Sequence, residues 1–412
     1  MENISYFCIV KLFKRNIRYT LAAFFLLLTG ACNASATGAD SQLQTDSIEV
    51  SLLTCMPRPY IYSLYGHTAI RFTDKAHGTD LAINYGMFSF DKPYFVLRFV
   101  FGLTDYEMGI EYFEYFKRQY EMAGCGVIQQ TLNLTHDEKI AIAEAIEQNY
   151  LPANRVYRYN YFYDNCTTRA RDILTDNING KVTYPAHEDR MSFRQMIRQY
   201  NDRHLWARFG NDLLLGVAAD RNTTPSERQF LPDNLRRDFA HATITDEQGN
   251  VRPLVKATSW ATPAITDSGA EDFPVSPRML MAILATVVVL ATIAESLRKS
   301  NYWLLDTALM ATSGLCGIIL FAMVFSQHPT VRLNLQILLL NPLSLLLTWP
   351  TTKSLRQGRA ALWMKIWTVC IILFIAGAAI QSYAEGMLIL ACSLLFRNII
   401  RIRLTANRKQ NK

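Results

Sequence analysis

The chain has 412 residues, half of them hydrophobic, and a formal net charge of +7. That charge is split: residues 37–277 hold 24 Lys/Arg against 31 Asp/Glu, and the remainder holds 18 against 4. The basic excess flanks apolar stretches, so it speaks of membrane topology and argues against a nucleic-acid partner, while the length allows two or three domains.

The first 36 residues read as an export signal. Lys11, Lys14, Arg15 and Arg18 form a basic region, Leu21 to Leu28 an apolar one, and Ala34-Ser35-Ala36 fits small-residue cleavage. Thr29-Gly30-Ala31-Cys32 offers an alternative, a lipoprotein-like box that would lipidate Cys32, and an uncleaved anchor is a third reading.

Residues 37–252 form the expected exported domain. Thr68, Ile70 and Phe72 alternate with His67, Ala69 and Arg71, which predicts a strand, and Leu81–Tyr85 predicts its neighbour across a turn at Asp74–Asp80. Residues 136–150 predict an amphipathic helix capped by Thr135. Tyr157–Tyr163 alternates aromatic and polar residues and predicts a strand leading into a helix that starts at Cys166. On that helix Cys166, Ala170, Ile173, Leu174 and Ile178 share a stripe, and Asn165 or Asp164 can cap it. Residues 253–277, rich in Pro, Ser, Thr, Ala and Asp, read as a tether.

Residues 278–402 predict an all-α membrane domain. Apolar stretches fall at 279–297, 303–325, 335–349, 361–380 and 383–400, the third extendable to Leu333, which makes about five spans. Alternating them puts sixteen of the 18 outlying basic residues on one side and only Arg278 and Arg332 on the other. Basic loops stay in the cytoplasm. Residues 37–277 and the loop Ser326–Leu333 therefore share the outer face, the periplasm of a bacterial inner membrane, and residues 403–412 form a basic cytoplasmic tail.

Cys166 and His67 stand out chemically. A thiol in the first turn of a helix faces unpaired N–H groups and the positive dipole end, which favour the thiolate. A strand histidine can activate it, in an order opposite to papain's, and a third group must hold the imidazole in one tautomer. Asn84, 17 residues on, is the first choice, with Asp80 and Asp74 as alternatives. The Cys166 backbone N–H can receive an oxyanion. The bland alternative is a packing thiol and an unrelated histidine. Of the three cysteines in the exported domain, a Cys55–Cys125 disulfide would leave Cys166 free, and Cys55 is the competing nucleophile. Tyr157, Tyr159, Tyr161, Phe162 and Tyr163 read as core strand, some able to line an acyl-chain groove. Arg169 and Arg171 suit acidic partners or phosphate headgroups. His328, Asn334 and Asn341 are polar groups beside or within apolar spans, where function or helix contact is expected. His77, His136, His187, His204 and His241 show no partner pattern, and no spacing suggests a metal or other cofactor.

Ser51–Cys55, Ser63-Leu64-Tyr65-Gly66-His67-Thr68-Ala69-Ile70-Arg71, Asn84–Phe88 and Tyr161–Cys166 resemble the exported domain of the Lnb-type lipoprotein N-acyltransferases of Bacteroides relatives. The similarity continues through Asp212–Asp220, Phe230-Leu231-Pro232 and Phe325–Pro329, Asn334 and Asn341-Pro342, with Tyr65 in place of an expected Phe and no glycine in Met56-Pro57-Arg58. The resemblance implies an α+β, permuted papain-like fold of the NlpC and lecithin:retinol acyltransferase type. It makes Cys166 the nucleophile and His67 the base. It also implies acyl transfer from a phospholipid, through a Cys166 thioester, to the N-terminal amine of a diacylglyceryl-cysteine lipoprotein. Asn165, Asp164, Tyr163, Arg169, Ser63, His328 and Asn334 are then expected to support the site or bind substrate. The competing expectations are a membrane-tethered thiol hydrolase acting on peptidoglycan peptides or lipid esters, and a non-catalytic exported module.

Overall fold

Alternation of apolar side chains from Ile48 to Leu132 builds two cores on opposite faces of one sheet. A computed structural model describes residues 46–58, 63–88, 93–187, 190–265, 273–359 and 361–410; the signal-peptide reading lies outside them. The strands are β1 (Ile48–Cys55), β2 (His67–Asp74), β3 (Thr79–Met87), β4 (Asp105–Tyr112), β5 (Val127–Leu132), β6 (Val156–Arg158), β7 (Lys181–Thr183), β8 (Thr243–Thr245), β9 (Val251–Pro253) and β10 (Val255–Thr262). Seven pair in the antiparallel order β10-β5-β1-β2-β3-β4-β6, and β7, β8 and β9 make a small second sheet.

Val50, Leu52, Ile70, Phe72, Ile83 and Tyr85 point to one face of the large sheet. Helices there are α3 (His136–Tyr150), α4 (Cys166–Thr175) and α8 (Pro232–His241). Leu53, Cys55, Ala69 and Ala82 point to the other face, onto Phe113, Phe116 and Tyr120 of α2 (Phe113–Met122). The remaining soluble helices are α1 (Phe95–Val100), α5 (Phe193–Tyr200), α6 (Leu205–Leu214) and α7 (Pro225–Arg228). Thr135 caps α3 in a reciprocal capping box with Glu138.

Two sequence expectations change here. The predicted strand Tyr157–Tyr163 stops at Arg158, because Asn160 Oδ1 accepts the Phe162 N–H at 3.2 Å and the Asp164 N–H donates back to the Asn160 carbonyl. Such a side-chain turn competes with a ladder. The predicted tether at 253–277 instead begins with β10, which covers the free edge of β5.

The C-terminal part is helical: α9 (Pro277–Arg298), α10 (Trp303–Val324), α11 (Pro342–Leu346), α12 (Thr348–Arg356), α13 (Leu362–Gly377) and α14 (Met387–Gln410). Among the described residues, α9 and α10 are long and apolar enough to cross a membrane, and α13 is a shorter apolar helix. The third apolar stretch is broken rather than one span. It runs through a 3-10 turn at Leu335–Leu338, then α11, whose start Asn341 caps. Ser313 of α10 satisfies the break, donating to the Leu339 carbonyl at 2.8 Å and accepting the Asn341 N–H at 3.3 Å. Non-helical backbone at membrane depth requires such partners. Glycines let it come close: a Cβ on Gly317 would stand 2.4 Å from the Leu340 carbonyl oxygen. The segment expected as a tail continues α14 as far as Gln410.

Two of the basic residues counted as topology markers have another job. Arg397 and Arg401 of α14 are buried against Glu295 of α9 and Asp306 of α10. Two cations and two anions form a neutral cluster that ties three helices at one end.

The described residues from Ser47 onward form a single compact unit. Its two parts meet through the carbonyls of residues 212–215. Gln336 donates to those of Asp212 and Leu213, Asn334 to those of Leu213 and Leu214, and Gln381 to that of Leu215. Beneath this seam lies Arg194, fully buried, paired to Asp212 at 3.1 Å and Asp220 at 2.9 Å and donating to the Leu215 and Gly216 carbonyls. Breaking one side of a buried pair costs about 3–5 kcal/mol. Arg194→Met is therefore expected to lower the melting temperature of the full-length protein in detergent and to expose the 212–220 segment to protease; an unchanged melting curve would remove Arg194 from the seam.

Candidate active site

Cys166 and His67 both occupy terminal positions, one the first residue of α4 and the other the first of β2. Asn165 sets the helix start. Its Oδ1 accepts the N–H groups of Thr167 and Thr168 at 2.8 and 3.0 Å, and its Nδ2 donates to the Tyr161 and Phe230 carbonyls. The cap leaves the N–H of Cys166, first in the helix, for other use. Thr167 then meets Thr68 hydroxyl to hydroxyl at 3.1 Å, both fully buried, which pins α4 onto the beginning of β2. That contact closes a sequence separation of 99 positions.

The two candidate side chains act on each other directly, through charge and a side-chain hydrogen bond between His67 and the Cys166 sulfur. The other ring nitrogen, Nε2, lies 2.9 Å from Asn84 Oδ1. Asn84 Nδ2 donates to Glu111 Oε1 at 2.9 Å, and Gln119 donates to Glu111 Oε2 at the same distance. This chain fixes the proton positions. With its amide nitrogen committed to a carboxylate, Asn84 can only accept from His67, so Nε2 carries hydrogen and Nδ1 faces the sulfur.

The electrostatics favour an ion pair. Burial alone pushes the Cys166 thiol up, but the His67 charge, the His67 hydrogen bond, the Thr68 backbone N–H and the Thr167 hydroxyl together hold it below the usual thiol range. Burial likewise pushes His67 down, and the Cys166 charge with the hydrogen bonds that His67 makes to Cys166 and Asn84 carries it above the usual imidazole range. Cys55 is the opposite case. Burial pushes its thiol up to about 12, so it stays protonated and unreactive. Cys55 and Cys125 are both buried free thiols, so no Cys55–Cys125 disulfide forms. The alternatives for the third residue are also committed elsewhere: Asp80 pairs with Arg71 at 2.7 Å, and Asp74 accepts from Ser47 and lies 2.5 Å from His77.

Gly86 lies beside Cys166. It sits at φ +85 where the β3–β4 register shifts between Asn84 and Met87. A Cβ there would lie 3.6 Å from Cys166 Cβ, 3.8 Å from the Tyr157 hydroxyl and 3.9 Å from the Tyr106 ring. The Tyr157 hydroxyl is buried and, among the described residues, has no hydrogen-bond partner. Its ring is covered on one side by the Arg169 guanidinium at 3.6 Å.

The expected supporting residues are mostly structural. Asp164 holds Arg169 in a two-bond ion pair, and the Tyr163 hydroxyl accepts from Arg221. Ser63 donates to the Arg58 carbonyl. His328 and Asn334 bond the main chain of residues 99, 213 and 214, at the seam between the two parts. Asn341 caps α11, and Arg171 donates to Ser226. Glu111 and Gln119 were missed by sequence reasoning. Their only signal is register, since Glu111 faces Ala82 on β3, two residues before Asn84, and nothing in the string Gly109–Tyr112 marks it. Among the described residues no group of side chains could hold a metal ion.

Two family models match the chain, the Lnb N-terminal periplasmic domain over residues 36–203 and the Lnb transmembrane domain over residues 268–409. No curated protein and no solved structure matches it. The first matched segment holds Cys166, His67 and strands β1 to β7, and the second holds the helices docked against them. The chain belongs to the Lnb family and is a membrane protein of lipoprotein maturation with a periplasmic domain.

Proposed function

We propose that the protein is a thiol-dependent lipoprotein N-acyltransferase of the inner membrane, built on a permuted papain-like domain. It takes an acyl chain from a phospholipid and delivers it to the N-terminal amine of a diacylglyceryl-cysteine lipoprotein. The observation that carries this reading is the Cys166–His67–Asn84–Glu111 hydrogen-bond chain on a domain fastened to membrane helices.

The chemistry runs in two halves. The Cys166 thiolate attacks the ester carbonyl, and the negative oxygen is received by the Cys166 N–H and the Tyr157 hydroxyl. Collapse breaks the carbon–oxygen bond, and the departing alkoxide takes the His67 proton, leaving a thioester, neutral His67 and a lysophospholipid. The lipoprotein amine then attacks the thioester carbonyl and gives its proton to His67. Collapse breaks the carbon–sulfur bond, forms the amide and restores the thiolate–imidazolium pair. The same arrangement would hydrolyse the thioester if water entered, so an apolar surround favours transfer.

Three outcomes follow from this assignment. With full-length protein in proteoliposomes holding phospholipid and a diacylglyceryl peptide, Cys166→Ala is expected to lose at least about 10³-fold in amide formation. Wild type without acceptor should gain one acyl mass on Cys166. Unchanged N-terminal acylation by Cys166→Ala in mass spectra would end the proposal, and free fatty acid as sole product would convert it to a hydrolase.

The rate should follow a bell in pH, rising as the lowered Cys166 thiol ionises and falling as the raised His67 loses its proton. Glu111→Gln frees the Asn84 amide to turn and removes a negative charge near His67. Both changes lower the imidazolium's stability, so the alkaline limb should move to lower pH with kcat down about tenfold. An unmoved limb would make Glu111 merely structural.

Tyr157→Phe deletes a hydroxyl that has no partner in the resting site, so the fold loses no hydrogen bond. Loss of an oxyanion donor costs about 10²-fold in kcat. That fall with an unchanged melting temperature is the expected result, and wild-type kcat would remove Tyr157 from the reaction.

A further inference from the structure

An exposed apolar segment joins the sheet domain to the outer end of a membrane helix. α1 and its flanks leave Tyr94, Leu97, Phe99 and Leu103 exposed, Tyr94 and Leu97 at 77% and 57%. Soluble surfaces rarely gather large apolar side chains so closely. The same segment is fastened to the loop that follows α10. Gln327 N–H donates to the Phe101 carbonyl at 2.9 Å, Ser326 Oγ to the Val100 carbonyl at 2.8 Å, and His328 Nε2 lies 3.3 Å from the Phe99 carbonyl. The approach is close enough to require glycine: Gly102 sits at φ +68, and a Cβ there would lie 3.0 Å from Gln327 Cβ. The carbonyls at the end of α1 are thus capped by the first residues beyond a membrane-crossing helix.

That attachment fixes the height of the segment. The outer end of α10, with exposed Phe321 and Phe325, marks the boundary of the hydrocarbon. Whatever bonds directly to residues 326–328 lies at the same level, where Tyr and Phe side chains settle between tails and headgroups.

The inner face of α1 leads to the sulfur. Phe99 stacks with Phe95 at 6.4 Å, Phe95 with Phe88 at 5.4 Å, Phe88 with Tyr106 at 4.9 Å and Tyr106 with Tyr159 at 4.1 Å. Tyr106 borders the space over Gly86, across from Cys166. The row runs from the segment's exposed side to Tyr106, which with Cys166 flanks Gly86.

We propose that residues 93–103 are embedded in the outer leaflet and form the portal through which a phospholipid acyl chain passes along Phe99, Phe95, Phe88 and Tyr106 to Cys166. Insertion stands on the segment's own attachment and exposure; the direction of travel rests on the acyl-transfer reading. The occupant is bilayer lipid, because the segment is continuous with a membrane-crossing helix.

The test places a benzophenone amino acid at Leu97 of the full-length chain in phosphatidylethanolamine–phosphatidylglycerol vesicles, with the same probe at exposed Glu144 on α3 as reference. Irradiation is expected to add one phospholipid mass at position 97, in Cys166→Ala as well as in wild type, and none at 144. Equal yields at the two positions, no lipid adduct at 97, or an adduct only to another protein would overturn insertion. In the same vesicles a phospholipid with a diazirine at the end of its acyl chain should label residues 88–106; label confined to the membrane helices would overturn the route. Leu97→Glu should slow acyl-enzyme formation from vesicle lipid at least about tenfold, as lost apolar contact weakens interfacial binding. Because adduct formation needs no catalysis, its failure is separable from failure of the acyl-transfer reading, which Cys166→Ala activity alone decides.

Discussion

The site depends on the four hydrogen bonds of one amide. Asn165 follows the Asn160–Asp164 turn and begins α4, accepting two N–H groups of the first turn while donating to carbonyls at positions 161 and 230. An alanine there would leave both helix donors and both carbonyls short of partners. More than stability is at stake. The cap decides which residue is first in the helix, and therefore which side chain faces the dipole end and the start of β2. Because Asn165 also reaches Phe230, the position of the sulfur is tied to residues just before α8, far along the chain. The Thr167–Thr68 contact then transfers that position to the histidine strand.

Burial acts on four groups here in the same sense, against charge, and the outcome differs by partner. Cys55 has little to offset it and remains a thiol. Cys166 and His67 offset it for each other, so each is displaced toward its charged form. Glu111 sits between these cases. Burial lifts its carboxyl above the ordinary carboxylate range, against the Gln119 and Asn84 hydrogen bonds and the His67 charge. The consequence is a polar chain that is fully partnered from Gln119 to the sulfur, which rigidifies as a unit.

Much of this was legible in the sequence because it is local. The capping residue before Cys166, the alternation around His67, the 136–150 helix and the long apolar stretches all announce themselves through patterns of two or about four residues. What stayed hidden depends on pairing. β10 was taken for a tether because its Ser, Thr and Ala residues signal nothing until β5 presents an unpaired edge. The break in the third apolar stretch rests on Ser313, a residue from another helix. Arg397 and Arg401 looked like cytoplasmic markers, and only the fold shows that Glu295 and Asp306 neutralise them. His328 and Asn334 stand out in the sequence as polar groups beside apolar spans, and their partners are carbonyls of the sheet domain. The helix start and the strand alternation bring Cys166 and His67 into view; the residue beyond Asn84 needs the register of β3 against β4.

A flexible tether would suffice to keep a soluble domain near a membrane, since it raises effective concentration whatever the orientation. The seam here does something else. Carbonyls of residues 212–215 are received by three side-chain amides, and the Gly216 and Val217 N–H groups donate to the Thr330 and Leu333 carbonyls at 2.8 Å. Carbonyls 99–101 are received a second time by residues 326–328. Two separate attachments prevent rotation as well as escape. For the proposed thioester, which water would destroy, orientation is the stronger requirement. Under that proposal a sulfur turned toward solvent would spend its acyl chain on hydrolysis, whereas one held toward the bilayer would meet lipid esters and lipid-anchored amines. The buried Arg194 pairs and the close glycine contacts at residues 102 and 216 hold one orientation of the helical part against the sheet domain.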